Sequence, residues 1–299
     1  MPNKIVLKKK IPTFQKKILI PGDKSISIRW ILISSLSNGI SQAKNLLMSE
    51  DVLASIKAIK KLGVKVNVKN NICKIHGVGI NGYKYKKNIV INAQNSGTLG
   101  RLISGLLIDT PFPIKIIGDN SLSKRDFKRV AKPLSKFGAS FYLRNSSNLP
   151  LTIMGSKKLK PIKFFEDKGS AQCKSSIIFA GIKTNGKTLI KAKKSRNHTE
   201  LLLKYLKLPI KIIKNKNFDL IEINKVKKIK PINYNIPADI SSGAFFIALT
   251  VLSKNSKLTI KNININPTRI GIIKILKKMG VKFLFLNKRI YKGEFIADI

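Results

Sequence analysis

The stretch at residues 21–29 combines a glycine turn with side chains that bind anions. Gly22 precedes Lys24 and Ser25, and Arg29 follows about one turn later, at the start of an apolar run. The first N–H groups of a helix that begins here have no intrahelical acceptor, and the helix dipole adds positive charge at the same end. We therefore interpret the stretch as a candidate site for a phosphate or carboxylate group. An ordinary capped surface helix is the alternative.

Arginine is rare in this chain, which makes each arginine informative. The chain holds 59 lysines and arginines, and almost all are lysine. An arginine among them favours a position that needs a planar, bidentate donor. The eight arginines are Arg29, Arg101, Arg125, Arg129, Arg144, Arg196, Arg269 and Arg289.

Four apolar segments begin in the same way, with starts about 70 residues apart, which indicates an internal repeat. Each opens with serine beside Asp, Asn or Gly, the residue types that cap a helix, and then becomes largely apolar. This pattern predicts helices that are buried on most sides. The predicted starts are at residues 24–25, 95–98, 169–172 and 239–242.

A second, amphipathic helix is predicted after each apolar helix, and a short apolar strand after that. The repeating unit is therefore strand, helix, strand, helix, strand. The predicted amphipathic helices are residues 52–62, 126–137, 200–206 and 270–279. The predicted strands after them are residues 64–68, 140–143, 210–213 and 281–285.

Units with one buried and one exposed helix must pack together to cover their apolar faces. We predict an α/β fold, an inside-out α/β barrel of βαβαβ-type repeats with buried helices and outer sheets. Residues 21–236 form a complete three-repeat domain in this interpretation. Residues 1–20, with a strand at 4–7, and residues 237–299 form a partial second domain that exposes its inner face. We expect the chain to be incomplete.

The composition indicates a globular protein, with 43% hydrophobic and 24% charged residues. The net charge of +45 favours nucleic-acid binding, but the lysines are scattered and do not alternate with aromatic residues as a base-stacking surface requires. We expect no specific nucleic-acid partner. No segment reaches the roughly 20 apolar residues of a membrane span, so we predict a cytoplasmic protein. Cys73 and Cys173 form no CxxC pair, and neither a disulfide framework nor a metal site is predicted.

Nine motifs along the chain resemble those of the EPSP synthase family of enolpyruvyl transferases, in the family's order. They are PGDKSISIR (21–29), NSGTLGRL (95–102), GDNSLSKRDFKRV (118–130), LPLTI (149–153), SAQCKS (170–175), KKSRNHTE (193–200), ADISSGAFF (238–246), NPTRIG (266–271) and GEFIADI (293–299).

The resemblance implies an activity and its substrates. It implies transfer of the enolpyruvyl group of phosphoenolpyruvate to the 5-hydroxyl of shikimate 3-phosphate, by addition followed by elimination of phosphate. This is a step of the shikimate pathway to chorismate and the aromatic amino acids. The resemblance further implies no cofactor, no membrane partner and, for a full-length protein, a monomer.

The resemblance also implies residue roles. Lys24 contacts both substrates and serves in proton transfer. The residues implied for shikimate 3-phosphate are Lys24, Ser25, Arg29, Ser170, Ala171, Gln172, Ser195 and Arg196. Those implied for phosphoenolpyruvate are Lys24, Gly97, Arg125 and Gln172. Structural roles are expected for Thr98, Arg101, Asp239 and His198, the last as a cap or packing residue beside Arg196.

Three departures from the family pattern affect these roles. Ile28 replaces the usual His or Asn, which removes a polar group near the shikimate site. Asp126 replaces the usual proline and places a carboxylate beside Arg125. The C-terminal third of the family's pattern, with its proton-acceptor aspartate, is absent from this sequence. We therefore expect this chain to be inactive alone.

Two other interpretations remain open. The first is UDP-N-acetylglucosamine enolpyruvyl transferase, which shares the fold and the phosphoenolpyruvate chemistry. That enzyme usually has a reactive cysteine in the loop that matches residues 118–125, and this chain has none there. The second is a noncatalytic remnant that binds shikimate 3-phosphate weakly or not at all.

Overall fold

The computed structural model describes residues 11–299 and contains two compact units. The larger unit comprises residues 22–236 together with Lys292–Glu294. The smaller unit comprises residues 11–21, Pro237–Tyr291 and Phe295–Ile299. The strand predicted at residues 4–7 lies outside the described residues.

The helices are α1 Lys24–Ser35, α2 Glu50–Lys61, α3 Gly97–Leu106, α4 Asn120–Ser123, α5 Lys128–Ser135, α6 Ala171–Gly181, α7 His198–Tyr205, α8 Ile240–Leu252 and α9 Gly271–Lys278. The strands up to residue 154 are β1 Gln15–Ile18, β2 Asn38–Lys44, β3 Lys65–Lys69, β4 Ile72–Val78, β5 Val90–Asn92, β6 Ile114–Ile117, β7 Ser140–Arg144 and β8 Asn148–Met154. The later strands are β9 Lys163–Glu166, β10 Thr188–Lys193, β11 Ile210–Lys214, β12 Phe218–Ile223, β13 Tyr234–Asn235, β14 Lys257–Ile260, β15 Ile263–Asn264, β16 Leu286–Tyr291 and β17 Glu294–Asp298. None of the helices among these residues is long and apolar enough to span a membrane.

The repeat predicted from the sequence is visible in the sheets of the larger unit. Its three four-stranded sheets have the orders β13-β2-β4-β3, β5-β6-β8-β7 and β9-β10-β12-β11. In each sheet the first two strands are parallel and the remaining neighbours are antiparallel. Each of the three repeats therefore contains one strand more than predicted. The additional strands are β4, β8 and β12, and each pairs with the strand before it in the chain.

Three apolar helices form the interior of the larger unit, as predicted. All residues of α1 except Lys24 are buried, and α3 and α6 each have only one residue that is not. Each helix starts at a cap whose side chain accepts a hydrogen bond from the N–H of the third helix residue. Asp23 accepts from the Ile26 N–H at 3.0 Å, and Ser96 and Ser170 cap α3 and α6 in the same way.

Helices α3 and α6 cross in close contact at a glycine. A Cβ added to Gly105 would lie 2.1 Å from the carbonyl oxygen of Ser176 in α6. No residue with a side chain fits at this crossing without moving a helix, because a helix carbonyl cannot rotate away. This contact fixes the separation of the two helices.

The smaller unit differs from the predictions in two places. Helix α8 was predicted to be buried on most sides, but only Ile240, Gly243 and Ile247 are buried in it. Phe245 is 79% and Leu252 is 86% exposed. The prediction of a strand at residues 281–285 is wrong. This segment is irregular, although Val281, Phe283 and Phe285 pack on the unit's core.

Candidate functional site

The start of α1 carries the first candidate anion-binding group. A Cβ added to Gly22 would lie 2.1 Å from the carbonyl oxygen of Asn45, so the turn before α1 requires glycine. Lys24 is the first residue of α1, and its side chain is 45% exposed. Its Nζ lies 3.5 Å from Asp51 Oδ2 of α2. Lys24 is therefore positioned at the helix start and remains accessible to a ligand.

Arg29 lies one turn deeper in α1 and is almost fully buried. Its Nε donates to Thr199 Oγ1 at 2.7 Å, and its Nη2 donates to Ser175 Oγ at 3.0 Å. Its Nη1 donates to the carbonyl oxygen of Ser25 at 3.0 Å. Burial lowers the pKa of Arg29 to about 10, and the negative charge of Glu200 opposes that shift. The guanidinium thus stays charged at neutral pH and connects α1, α6 and α7.

The starts of α3 and α6 are joined by Gln172. Its Oε1 accepts from Arg101 Nη1 at 2.6 Å, and its Nε2 donates to Thr98 Oγ1 at 2.9 Å. Arg101 also donates to the carbonyl oxygen of Asp126 at 3.1 Å and stacks on the ring of Phe127. Gln172, implied for both substrates, is therefore held in one orientation by the two residues with expected structural roles.

The loop before α5 places a second arginine near the start of α3. Arg125 is exposed, and its Nη2 donates to Asn95 Oδ1 at 3.1 Å. A Cβ added to Gly97 would lie 2.9 Å from Arg101 Nη1 and 3.5 Å from Arg125 Nη1, so both guanidiniums adjoin this helix start. Burial, together with the positive charges of Arg129 and Arg125, lowers the pKa of Arg101 to about 10.

The structure accounts for both substituted positions named above. The Asp126 carboxylate accepts from the Lys128 N–H at 2.7 Å, so it caps the start of α5. Ile28 is fully buried in α1. The Asp126 carboxylate therefore has a local hydrogen-bond donor, and the apolar Ile28 needs none.

The remaining site residues lie at the start of α6 and before α7. Ser170 caps α6, and its N–H donates to Glu166 Oε2 at 2.9 Å. Ala171 is buried. The Ser195 hydroxyl is buried and has no hydrogen-bond partner among residues 11–299. Arg196 is exposed, and its charge acts on Arg29. Of the predicted site residues, Ser25 accepts a hydrogen bond from Arg29 and Arg196 acts on Arg29 through its charge.

Sequence reasoning missed two close contacts between buried titratable side chains. Lys174 Nζ of α6 lies 2.6 Å from Glu200 Oε1 of α7, and both side chains are almost fully buried. His198 was expected to cap or pack beside Arg196. The structure adds a contact that was not predicted, since His198 Nδ1 lies 2.7 Å from Glu294 Oε1. All four residues belong to motifs quoted above. Their burial could not be predicted, because charged residues occur throughout this sequence.

Neither cysteine has the environment of a nucleophile. Burial raises the pKa of Cys73 to about 11 and that of Cys173 to about 12. Both thiols therefore remain protonated at neutral pH. Within residues 11–299, no group of three or more His, Cys, Asp or Glu side chains is arranged to hold a metal ion.

Comparisons with known proteins agree on one family. The family model described as EPSP synthase (3-phosphoshikimate 1-carboxyvinyltransferase) matches residues 8–292. The 3-phosphoshikimate 1-carboxyvinyltransferase of Caldicellulosiruptor bescii is 42% identical over 286 residues, which are 94% of this chain and 65% of that protein. The protein of the same description from Sulfurihydrogenibium sp. is 41% identical, over 97% of this chain and 68% of its own length.

Solved structures give the same result for the fold. EPSP synthase from Acinetobacter baumannii aligns with a TM-score of 0.86 and 36% identity, over 96% of this chain and 64% of that chain. This chain therefore spans about two thirds of the length of the relatives it matches.

Proposed function

Because the chain belongs to the EPSP synthase family, we propose that its larger unit binds shikimate 3-phosphate and phosphoenolpyruvate for enolpyruvyl transfer. The enolpyruvyl group passes from phosphoenolpyruvate to the 5-hydroxyl of shikimate 3-phosphate, and phosphate is released. The observation that carries this proposal is the set of cationic and amide side chains at the starts of the three buried helices.

Both proposed substrates carry a phosphate and a carboxylate, which the site's donors suit. Lys24, Arg29 and Arg125 supply charged N–H groups, and the helix starts add their own N–H groups and positive dipole ends. One hydrogen bond to a charged group contributes about 1.5–3 kcal/mol. Three or four such contacts therefore account for tight binding of a small molecule with a phosphate and a carboxylate.

We assign shikimate 3-phosphate to the side of the site built from α1, the start of α6 and the segment before α7. Its residues are Lys24, Ser25, Arg29, Ser170, Ala171, Gln172, Ser195 and Arg196. We assign phosphoenolpyruvate to the side formed by the start of α3 and the loop before α5, with Lys24, Gly97, Arg125 and Gln172. The orientation of Gln172, fixed by Arg101 and Thr98, supports its placement between the two substrates.

Lys24 is the residue of this chain that we propose for proton transfer. In the addition step the C2=C3 π bond of phosphoenolpyruvate breaks, the 5-hydroxyl oxygen bonds to C2 as it loses its proton, and C3 gains a proton. The elimination step breaks the C2–O bond to phosphate and removes a proton from C3. Lys24 has the accessibility that proton transfer requires, because its side chain is 45% exposed.

We further propose that the larger unit is an inside-out α/β barrel. Three buried helices, three sheets of equal topology and the pairing of β13 with β2 support this, because that pairing joins the end of the third repeat to the first.

Titration calorimetry with shikimate 3-phosphate tests the proposed function. Lys24→Met should weaken binding about 10-fold or more, the value of one hydrogen bond to a charged group. Lys57→Met is the matched control, since Lys57 is exposed on α2 and its loss changes the net charge equally. At about 0.1 M ionic strength, electrostatic attraction is screened beyond about 10 Å. Under this condition the affinity of Lys57→Met for shikimate 3-phosphate should stay within about 2-fold of wild type.

Two results would contradict the proposal. The first is no binding of shikimate 3-phosphate by the folded chain. The second is tighter binding of UDP-N-acetylglucosamine, which would favour the other enolpyruvyl transferase. Equal losses in both lysine variants would show that net charge, rather than the position of Lys24, determines affinity.

A further inference from the structure

We propose that Thr199 and Ser175 are positioning residues that hold Arg29 in the orientation needed to bind an anionic substrate. The inference rests on the proposed function, since it concerns how the shikimate 3-phosphate site is held. Neither hydroxyl is assigned to substrate in this proposal. Each acts through the guanidinium.

The three side chains form a closed set of short hydrogen bonds. Arg29 Nε donates to Thr199 Oγ1 at 2.7 Å, Arg29 Nη2 donates to Ser175 Oγ at 3.0 Å, and the two hydroxyl oxygens are 2.7 Å apart. All three residues are at most 3% exposed. They come from α1, α6 and α7, so the guanidinium plane is fixed by three helices at once.

The number of N–H groups on Arg29 shows how many of them remain for a ligand. A guanidinium has five N–H groups, and Thr199, Ser175 and the Ser25 carbonyl take three of them. The other two have no acceptor among residues 11–299. Because a planar fork with three bonds made cannot rotate, these two N–H groups point in a fixed direction. An anion then binds without having to order the side chain first.

Glu200 of the neighbouring Lys174–Glu200 ion pair favours the charged form of the Arg29 guanidinium. Burial works against the protonated guanidinium, and the negative charge of Glu200, next to Thr199 in α7, is the largest effect in its favour. Glu200 is itself held by Lys174 at 2.6 Å. Thr199 and Glu200 thus serve the same arginine, one through geometry and the other through charge.

A set of threonine variants separates positioning from simple stability. Thr199→Val removes the hydroxyl and keeps the shape, whereas Thr199→Ser keeps the hydroxyl. Thr184→Val is the matched control, because Thr184 is fully buried in the same unit and its Oγ1 donates only to the Ala180 carbonyl. Shikimate 3-phosphate affinity is measured by calorimetry. Stability is measured by urea unfolding followed through Trp30, the chain's single tryptophan, which is buried in α1.

We expect Thr199→Val to weaken binding about 10-fold or more, the effect of losing one hydrogen bond to a charged group. Thr199→Ser should remain within about 3-fold of wild type, and Thr184→Val should lose stability but bind normally. Wild-type affinity in Thr199→Val, or an equal loss of affinity in Thr184→Val, would overturn the inference.

The Nε–H resonance of Arg29 provides a readout that needs no ligand. The signal is assigned by its disappearance in Arg29→Lys. It should exchange slowly with water in wild type and Thr199→Ser, and rapidly in Thr199→Val. If this pattern holds while the wild-type chain binds no shikimate 3-phosphate, the proposed function fails and the positioning contact stands. Equal exchange in wild type and Thr199→Val refutes the positioning role whatever the ligand.

Discussion

Replacing Gly105 with alanine tests whether the close α3–α6 crossing contributes to the stability of the larger unit. The added Cβ would lie 2.1 Å from the Ser176 carbonyl oxygen and 2.9 Å from its carbonyl carbon. Ordinary contact between such atoms is roughly 3.4 Å, so the helices must separate by about 1 Å, and a gap of that size forfeits a quarter to a half of the dispersion energy of the atoms concerned.

The energetic cost follows from the nature of the contact. Overpacking a core costs typically about 1–3 kcal/mol when side chains can adjust. Here the obstacle is helix backbone, so we expect a loss of about 3 kcal/mol or more of the unfolding free energy of the larger unit. Against the usual total of about 5–15 kcal/mol for a folded domain, that loss is large but leaves a folded population to measure.

Urea unfolding monitored by Trp30 fluorescence measures this loss, because Trp30 is buried in α1 of the same unit. Ser104→Ala is the control, since Ser104 is the neighbouring buried residue of α3 and its hydroxyl donates only to the Gly100 carbonyl within the helix. We expect the control to lose less than about 1 kcal/mol. A Gly105→Ala variant within about 0.5 kcal/mol of wild type would refute the argument, because it would mean that the helices can separate freely.

Two further predictions concern charged groups away from the site. Lys183→Met should destabilise the larger unit by about 2 kcal/mol in the same urea experiment, because it removes the partner of Asp109 (2.6 Å) and of the Leu106 carbonyl (3.0 Å). Burial favours a raised pKa for Asp298, but hydrogen bonds from the Asn262 N–H, Lys261 and Asn287 outweigh it and lower that pKa to about 2. The smaller unit should therefore lose stability as the pH falls from about 4 towards 2. Asp298→Asn should abolish this dependence in amide hydrogen exchange of β14, and an unchanged acid response would contradict the assignment.

Local sequence signals explain why the helix starts could be predicted. Asp23, Ser96 and Ser170 each cap a helix through a contact three residues away, so capping and the apolar run both lie within one short window. The short strands that follow the amphipathic helices in the larger unit were predictable for the same reason, because their apolar pattern also lies within a few consecutive residues. The pattern failed at residues 281–285, where apolar side chains pack on a core without joining a sheet.

The contacts that orient the site are not local, and no sequence pattern indicates them. Arg29 bonds to Ser175 and Thr199, which are 146 and 170 residues away in the chain. Glu294 reaches His198 across 96 residues. Lys174 is one lysine among many in the sequence, and only its complete burial against Glu200 distinguishes it. The residue types of the site were therefore predictable from motifs, whereas their support depends on the tertiary fold.

The polarity of the buried helices explains where the larger unit places its buried charges. Lys183 donates to the Leu106 carbonyl at the C-terminal end of α3, where the helix dipole favours a cation. Arg29 and Lys174 lie instead in the N-terminal halves of α1 and α6, where the dipole opposes them. Glu200, in the first turn of α7, offsets part of this cost because an acid is favoured there. Asp23 and Glu294 act on Arg29 in the same direction as Glu200, so three neighbouring carboxylates offset the cost of burying this guanidinium.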